Sequence, residues 1–186
     1  MRLALLNWDY QVFEWFNGLA GKVPWADLIF VFLAQGIIFL MIAGLALFVL
    51  LEKKHQKVRN MQALQALVAG FLGRAVFVTL IRIFFPRPRP FLAAAIHPLI
   101  TINPAQWSFP SAHATIMFAM AFSLFSVSKN WGVLYLALAL VSSLSRIIVG
   151  VHYPLDIFGG MLVAAFSSIL TYAFFGFWLK KKNHQL

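Results

Sequence analysis

Three short polar strings interrupt an otherwise apolar chain, and their residue types are those of phosphoryl chemistry. They read Arg82-x6-Arg89-Pro90, then Pro110-Ser-Ala-His113, then Ser145-Arg146-x5-His152-x3-Asp156. Arginine presents a planar, permanently charged fork that matches phosphate oxygens. The forks of Arg82, Arg89 and Arg146 join the Ser111 hydroxyl and the free N–H groups of a helix start, making a seat for a highly charged tetrahedral anion. The helix start itself is legible: a proline, a cap hydroxyl, then the apolar run 115–125. His113 and His152 add a nucleophile and a proton donor. Asp156, four residues after His152, can hold its imidazole in one tautomer and stabilise the charge it gains.

The elements that position these strings follow from composition. The chain has 62% hydrophobic and 11% charged residues and a mean hydropathy of +0.84. Soluble domains average about 25% charged residues, so the expected fold is all-α, an integral membrane helical bundle forming a single domain over 1–186. With no cysteine, disulfides and thiolate metal sites are excluded. The net charge of +10 sits in short clusters between apolar spans, which fits cytoplasmic flanks on anionic lipid rather than nucleic acid. Nucleic acid is not an expected partner.

Residues 1–23 carry Trp8, Tyr10, Phe13 and Trp15 beside Asn7, Asp9 and Glu14, the pattern of an amphipathic helix in the headgroup region. There is no clean apolar core or cleavage site of a signal peptide. Lys22, Pro24 and Trp25 form a turn. Five apolar stretches then reach, or nearly reach, the ~20 residues a bilayer requires: about 26–51, 61–85, 111–128, 131–151 and 155–179. Pro86 to Pro90 stop the second, because proline lacks an N–H donor and clashes with a continuing helix. The connection to Phe109 is too broken by proline to cross.

If the spans alternate, Lys53, Lys54, Lys57, Arg59, Lys129 and Lys180 to Lys182 share one side with the C-terminus. The positive-inside rule makes that side cytoplasmic in the inner membrane. All three strings then lie on the outer face, where their arginines run against the trend and imply an anion. Arg74 lies mid-span outside the strings; it can pair, snorkel or line a groove. Arg87 fits a headgroup contact, His97 a solvated loop, and Asp27 and Glu14 the interface. Gly159-Gly160 predicts close helix packing.

The three strings resemble the signature of the type 2 phosphatidic acid phosphatase superfamily, Lys-x6-Arg-Pro, Pro-Ser-Gly-His and Ser-Arg-x5-His-x3-Asp. The match spans 82–156. The resemblance implies a metal-independent lipid phosphatase with no cofactor. In it, His152 attacks phosphorus to form a phosphohistidine, and His113 protonates the departing oxygen and later assists water. Arg82, Arg89, Ser111, Ala112 and Arg146 bind the phosphate. Two positions depart from the pattern: Arg82 stands at the lysine, which keeps charge but alters fork geometry, and Ala112 stands at the glycine of Pro-Ser-Gly-His, which keeps the backbone N–H but hinders the substrate's tight approach. The Gly150-Val-His-Tyr-Pro-Leu-Asp156 turn is similar to the branch that converts undecaprenyl pyrophosphate to undecaprenyl phosphate, recycling a cell-wall carrier. Phosphatidylglycerol phosphate, phosphatidic acid and lipid A phosphatases share the signature. A non-enzymatic lipid or anion transporter is the rival from another class. Oligomeric state is not legible.

Overall fold

The computed structural model describes residues 2–50, 56–93, 96, 98–126 and 128–183, with the side chains of 2–6 and 177–183 outside that set. Lys53, Lys54 and His97, and the side chains of Lys180 to Lys182, therefore lie outside the described residues. All regular structure among the described residues is helical. The order is α1 (Arg2–Asn17), α2 (Pro24–Gln35), α3 (Ile37–Leu50), α4 (Gln56–Leu72), a π-helical segment (Gly73–Val78), α5 (Thr79–Phe84), the single turn α6 (Pro90–Ala93), α7 (Ala112–Phe125), α8 (Lys129–Ile148) and α9 (Pro154–Asn183).

α7 is the central post, packed by α4, α8 and α9. Its sequence is apolar all round, and residues on every face are buried, from Ala114 and Thr115 through Met117, Phe118 and Met120 to Leu124. In lipid there is little hydrophobic gain in pressing helices together, so small residues that let backbones approach do the work. Gly160 shows this. A Cβ there would lie 2.7 Å from the Ser111 carbonyl oxygen and 3.0 Å from the Ala114 Cβ, so the expected packing role of the glycine pair is met where α9 crosses the start of α7. The outward faces carry Phe39, Phe71, Ile83, Phe84 and Ile169, all strongly exposed, as lipid-facing side chains should be.

Among the described residues, three helical stretches are long and apolar enough to cross a bilayer, Gln56–Phe84, Lys129–Ile148 and Pro154–Gly176, and a bent helix pair makes a fourth if it counts as one span. The first expected span, 26–51, is instead two helices that meet at 49°. The break falls at Gly36, beside Gln35, where the apolar run is interrupted. α7 has only 14 residues, about 21 Å of helix against a ~30 Å hydrocarbon core. Its apolar run reaches 128, but the helix ends at Phe125. Pro24 and Trp25 open α2 rather than forming a turn, with proline in the first helical turn, where its missing N–H costs nothing.

α1 departs most from expectation. Asp9, expected on a wet polar face, is wholly buried, as is Phe13. Phe13 meets the Tyr153 ring edge-on at 5.3 Å, and Asn17 Nδ2 donates to the Ile148 carbonyl at 2.8 Å. The helix is thus clipped across the ends of α8 and α9, while Trp8 and Trp15 remain exposed.

Candidate active site

Four helix ends meet at one end of the bundle. α5 and α8 arrive with their C-termini, and each carries an arginine in its last turn, Arg82 and Arg146. α7 and α9 depart with their N-termini, capped by Ser111 and led by Asp156 in the first turn. Cations suit the negative end of a helix dipole and anions the positive end, so this meeting assembles fixed cations around a place that favours negative charge. A turn at Gly150, whose φ of +83° suits glycine, reverses the chain from α8 into α9 and delivers His152 between them.

The cavity there encloses about 470 Å³ and is lined by Arg74, Arg82, Arg89, Arg146, His113 and His152, with Ala112 and the bend residue Gln35 also on its wall. No carboxylate is among its described lining residues. Each motif arginine is anchored by a backbone carbonyl. Arg82 Nη2 donates to Pro110 O at 3.1 Å. Arg146 Nη1 donates to Ala34 O at 3.0 Å, a carbonyl in the last turn of α2 that the bend leaves without a helical partner. Arg89 donates through Nε to Gln106 O at 2.9 Å and through Nη1 to Val151 O at 3.0 Å. The Nε–H groups of Arg82 and Arg146 are buried without an acceptor among the described residues. Burying an unpaired donor is costly, and an anion in the cavity would satisfy both.

His152 is contacted at both ring nitrogens. Its Nδ1 lies 3.3 Å from Asp156 Oδ2; a carboxylate only accepts, so Nδ1 carries the proton and Nε2 presents its lone pair. Nε2 lies 3.4 Å from Arg89 Nη1, on the cavity side. Complete burial, together with the positive charges of Arg146, Arg89 and Arg82, holds the His152 imidazole well below its ordinary range. It is therefore neutral at neutral pH, the form a nucleophile needs.

Asp156 is itself fixed. Its Oδ2 accepts from Tyr153 N–H at 2.9 Å, and its Oδ1 accepts from Arg87 Nη1 at 3.0 Å. Arg87 stacks on the Tyr153 ring, 3.9 Å from its centroid, and its other terminal nitrogen pairs with Asp9. The second Asp9 oxygen accepts from Leu155 N–H at 2.8 Å, capping α9 from another helix. Asp9, Arg87, Asp156 and His152 form one continuous chain.

All the expected catalytic groups, His113, His152 and Asp156, come together here with Arg82, Arg89 and Arg146. Ser111 is fully buried, and its Oγ accepts from Ala114 N–H at 3.4 Å as the cap of α7. Arg87 departs from its expectation: it reaches back to two buried carboxylates rather than out to a headgroup. Its partner Asp9 is the member of this network that sequence reading missed. The signal for it was weak, a lone acid between Trp8 and Tyr10 on an otherwise interfacial pattern. Asp27, expected at the interface, accepts from Gly21 N–H at 3.0 Å at an exposed turn.

The chain is similar to known proteins over most of its length. A model of the PAP2 superfamily matches residues 60–180. The undecaprenyl-diphosphatase BcrC of Bacillus subtilis is 30% identical over 167 residues, covering 89% of this chain and 83% of that protein. A protein of Bacillus licheniformis named bacitracin transport permease protein BcrC is 29% identical, with 92% and 82% covered. A crystal structure of the transmembrane PAP2-type phosphatidylglycerolphosphate phosphatase from Bacillus subtilis superposes with a TM-score of 0.65 at 18% identity, covering 92% of this chain and 86% of that one. This last likeness concerns the fold.

Proposed function

This chain belongs to the PAP2 superfamily and is a membrane lipid phosphatase, and on that premise we propose that it hydrolyses undecaprenyl pyrophosphate to undecaprenyl phosphate and inorganic phosphate. The observation that carries the proposal is the single cavity on which two histidines and the three motif arginines converge with no carboxylate on its wall. The arginines hold the terminal phosphate. His152 Nε2 attacks its phosphorus, and the bond to the bridging oxygen breaks. That oxygen leaves on the lipid monophosphate, taking a proton from His113. Water then attacks the phosphohistidine, gives a proton to His113 and releases phosphate, restoring neutral His152. Asp156 keeps the Nδ1 proton throughout and stabilises the charge on the imidazole. No metal ion takes part.

The site faces outward in the proposed topology of five crossings, with the C-terminus in the cytoplasm. In support, the basic residues Arg59 and Lys129 gather at the opposite end: Arg59 donates to Phe48 O at 2.7 Å, and Phe48 meets Trp131 at 5.5 Å. Positive charge at that end supports the proposed cytoplasmic side.

The test is phosphate release by purified protein in detergent micelles, where no gradient exists for a transporter to use. Undecaprenyl pyrophosphate is expected to turn over faster than phosphatidylglycerol phosphate or phosphatidic acid, with chelator leaving the rate unchanged. Preference for a monoester lipid would reject the substrate, and a metal requirement restored by a divalent ion would reject the mechanism.

A further inference from the structure

Arg74 lines the same cavity as the motif residues, yet it belongs to none of the three strings. It is an exposed cation in the interior of the Gln56–Phe84 span, a place where a charge is expensive and therefore has a task. No described carboxylate answers it. Asp9 and Asp156 are both taken by Arg87, Asp27 accepts from a backbone N–H at an exposed turn, and Glu14 accepts from the Tyr10 hydroxyl. Its charge nonetheless bears on Arg82 and His113, so it stands close to the site.

The backbone has been altered to put it there. Arg74 and Arg82 are eight residues apart, which in an unbroken α-helix advances the side chain by about 800° and leaves the two about 80° out of line. Between them runs the π-helical segment Gly73–Val78. A π-bulge absorbs one extra residue and sets the register back by about 100°, which brings the two arginines to within about 20° of one face. Such segments are rare and frequent at functional sites. Here the consequence is a fourth guanidinium on the cavity wall, about two turns before Arg82 along the helix, in a lining that also includes Ile38, Phe39 and Ile116.

We propose that Arg74 is the subsite for the second, lipid-linked phosphate of a diphosphate substrate, and so sets the preference for lipid diphosphates over lipid monophosphates. This rests on the function proposed above. With the terminal phosphate on Arg82, Arg89 and Arg146, and the apolar tail leaving past Ile38, Phe39 and Ile116, the second phosphate lies on the Arg74 side. A monophosphate has nothing to offer that fork.

The experiment compares wild-type protein with Arg74→Gln and Arg74→Lys, using a polyprenyl diphosphate and phosphatidic acid as substrates. Methylenediphosphonate and orthophosphate serve as competitive inhibitors. In Arg74→Gln the ratio of kcat/KM for diphosphate over monophosphate is expected to fall about 10- to 100-fold, the size of one charge-assisted contact. Inhibition by the diphosphonate should weaken by a similar factor relative to orthophosphate. Arg74→Lys, which keeps the charge and loses the fork, should recover part of both. An equal fall on both substrates and both inhibitors, or no fall on either, would overturn the subsite. A wild-type protein without diphosphate preference would instead count against the function proposed above, while the inhibitor ratio still decides the subsite.

Discussion

Replacing Asp9 by asparagine removes one charge from the far end of the chain that holds His152, at a position no closer to the cavity than Arg87. The Asp9 carboxylate is fully buried, and its partner Arg87 is 20% exposed. Charged hydrogen bonds of this kind are worth about 1.5–3 kcal/mol, and partial exposure of Arg87 argues for the lower half of that range. Asparagine keeps the shape and can still accept from Leu155 N–H, so the loss falls on Arg87. Arg87 then holds Asp156 less firmly, and about 1.4 kcal/mol of lost positioning corresponds to roughly tenfold in rate. We therefore expect Asp9→Asn to lower kcat about 10-fold and Arg87→Ala about 100-fold or more. KM should move little, because neither side chain lines the cavity. The assay is phosphate release in micelles at varied lipid diphosphate, with thermal unfolding as the control for folding. Since both residues act through Asp156, the double variant should be no slower than Arg87→Ala alone. Additive losses, or an effect confined to KM, would refute the positioning role.

Three further outcomes follow from the geometry. Gly160→Ala places a Cβ 2.7 Å from the Ser111 carbonyl; overpacking of this kind costs about 1–3 kcal/mol, read as a lower unfolding midpoint in micelles. Because His152 titrates well below its ordinary range in the folded state, folding favours its neutral form. That contribution is intact above about pH 6.5 and is lost as pH falls. Wild-type stability should therefore decline by about 1.4 kcal/mol more per pH unit below 6.5 than that of His152→Gln, and equal slopes in the two proteins would contradict it. Ser111→Ala removes the cap of α7 and should cost about 1 kcal/mol in the same unfolding measurement.

The convergence of the three strings was legible because each sits at a helix end, where sequence signals are strongest: prolines at 86–90, the Ser111 cap, the Gly150 turn. Three of the five expected spans were legible through their length and uniform apolar character. What sequence could not show were the departures from ideal helix. Gln35 and Gly36 are too ordinary to announce a 49° bend, and nothing in Gly73-Arg-Ala-Val-Phe-Val78 distinguishes a π-helical segment from an α-helical one. Asp9 illustrates a second limit. Its neighbours Trp8 and Tyr10 gave it an interfacial look, but its partners Arg87 and Leu155 lie far along the chain, and only tertiary packing brings them to it.

The proposed mechanism requires that His152 carry the phosphoryl group. Protein mixed with a lipid diphosphate radiolabelled at the terminal phosphate, and quenched within one turnover, should yield labelled protein. The label should be acid-labile and alkali-stable, mapping to a peptide that contains His152, and His152→Ala should yield none and release no phosphate. Wild-type turnover by His152→Ala, or label on another residue, would contradict the mechanism.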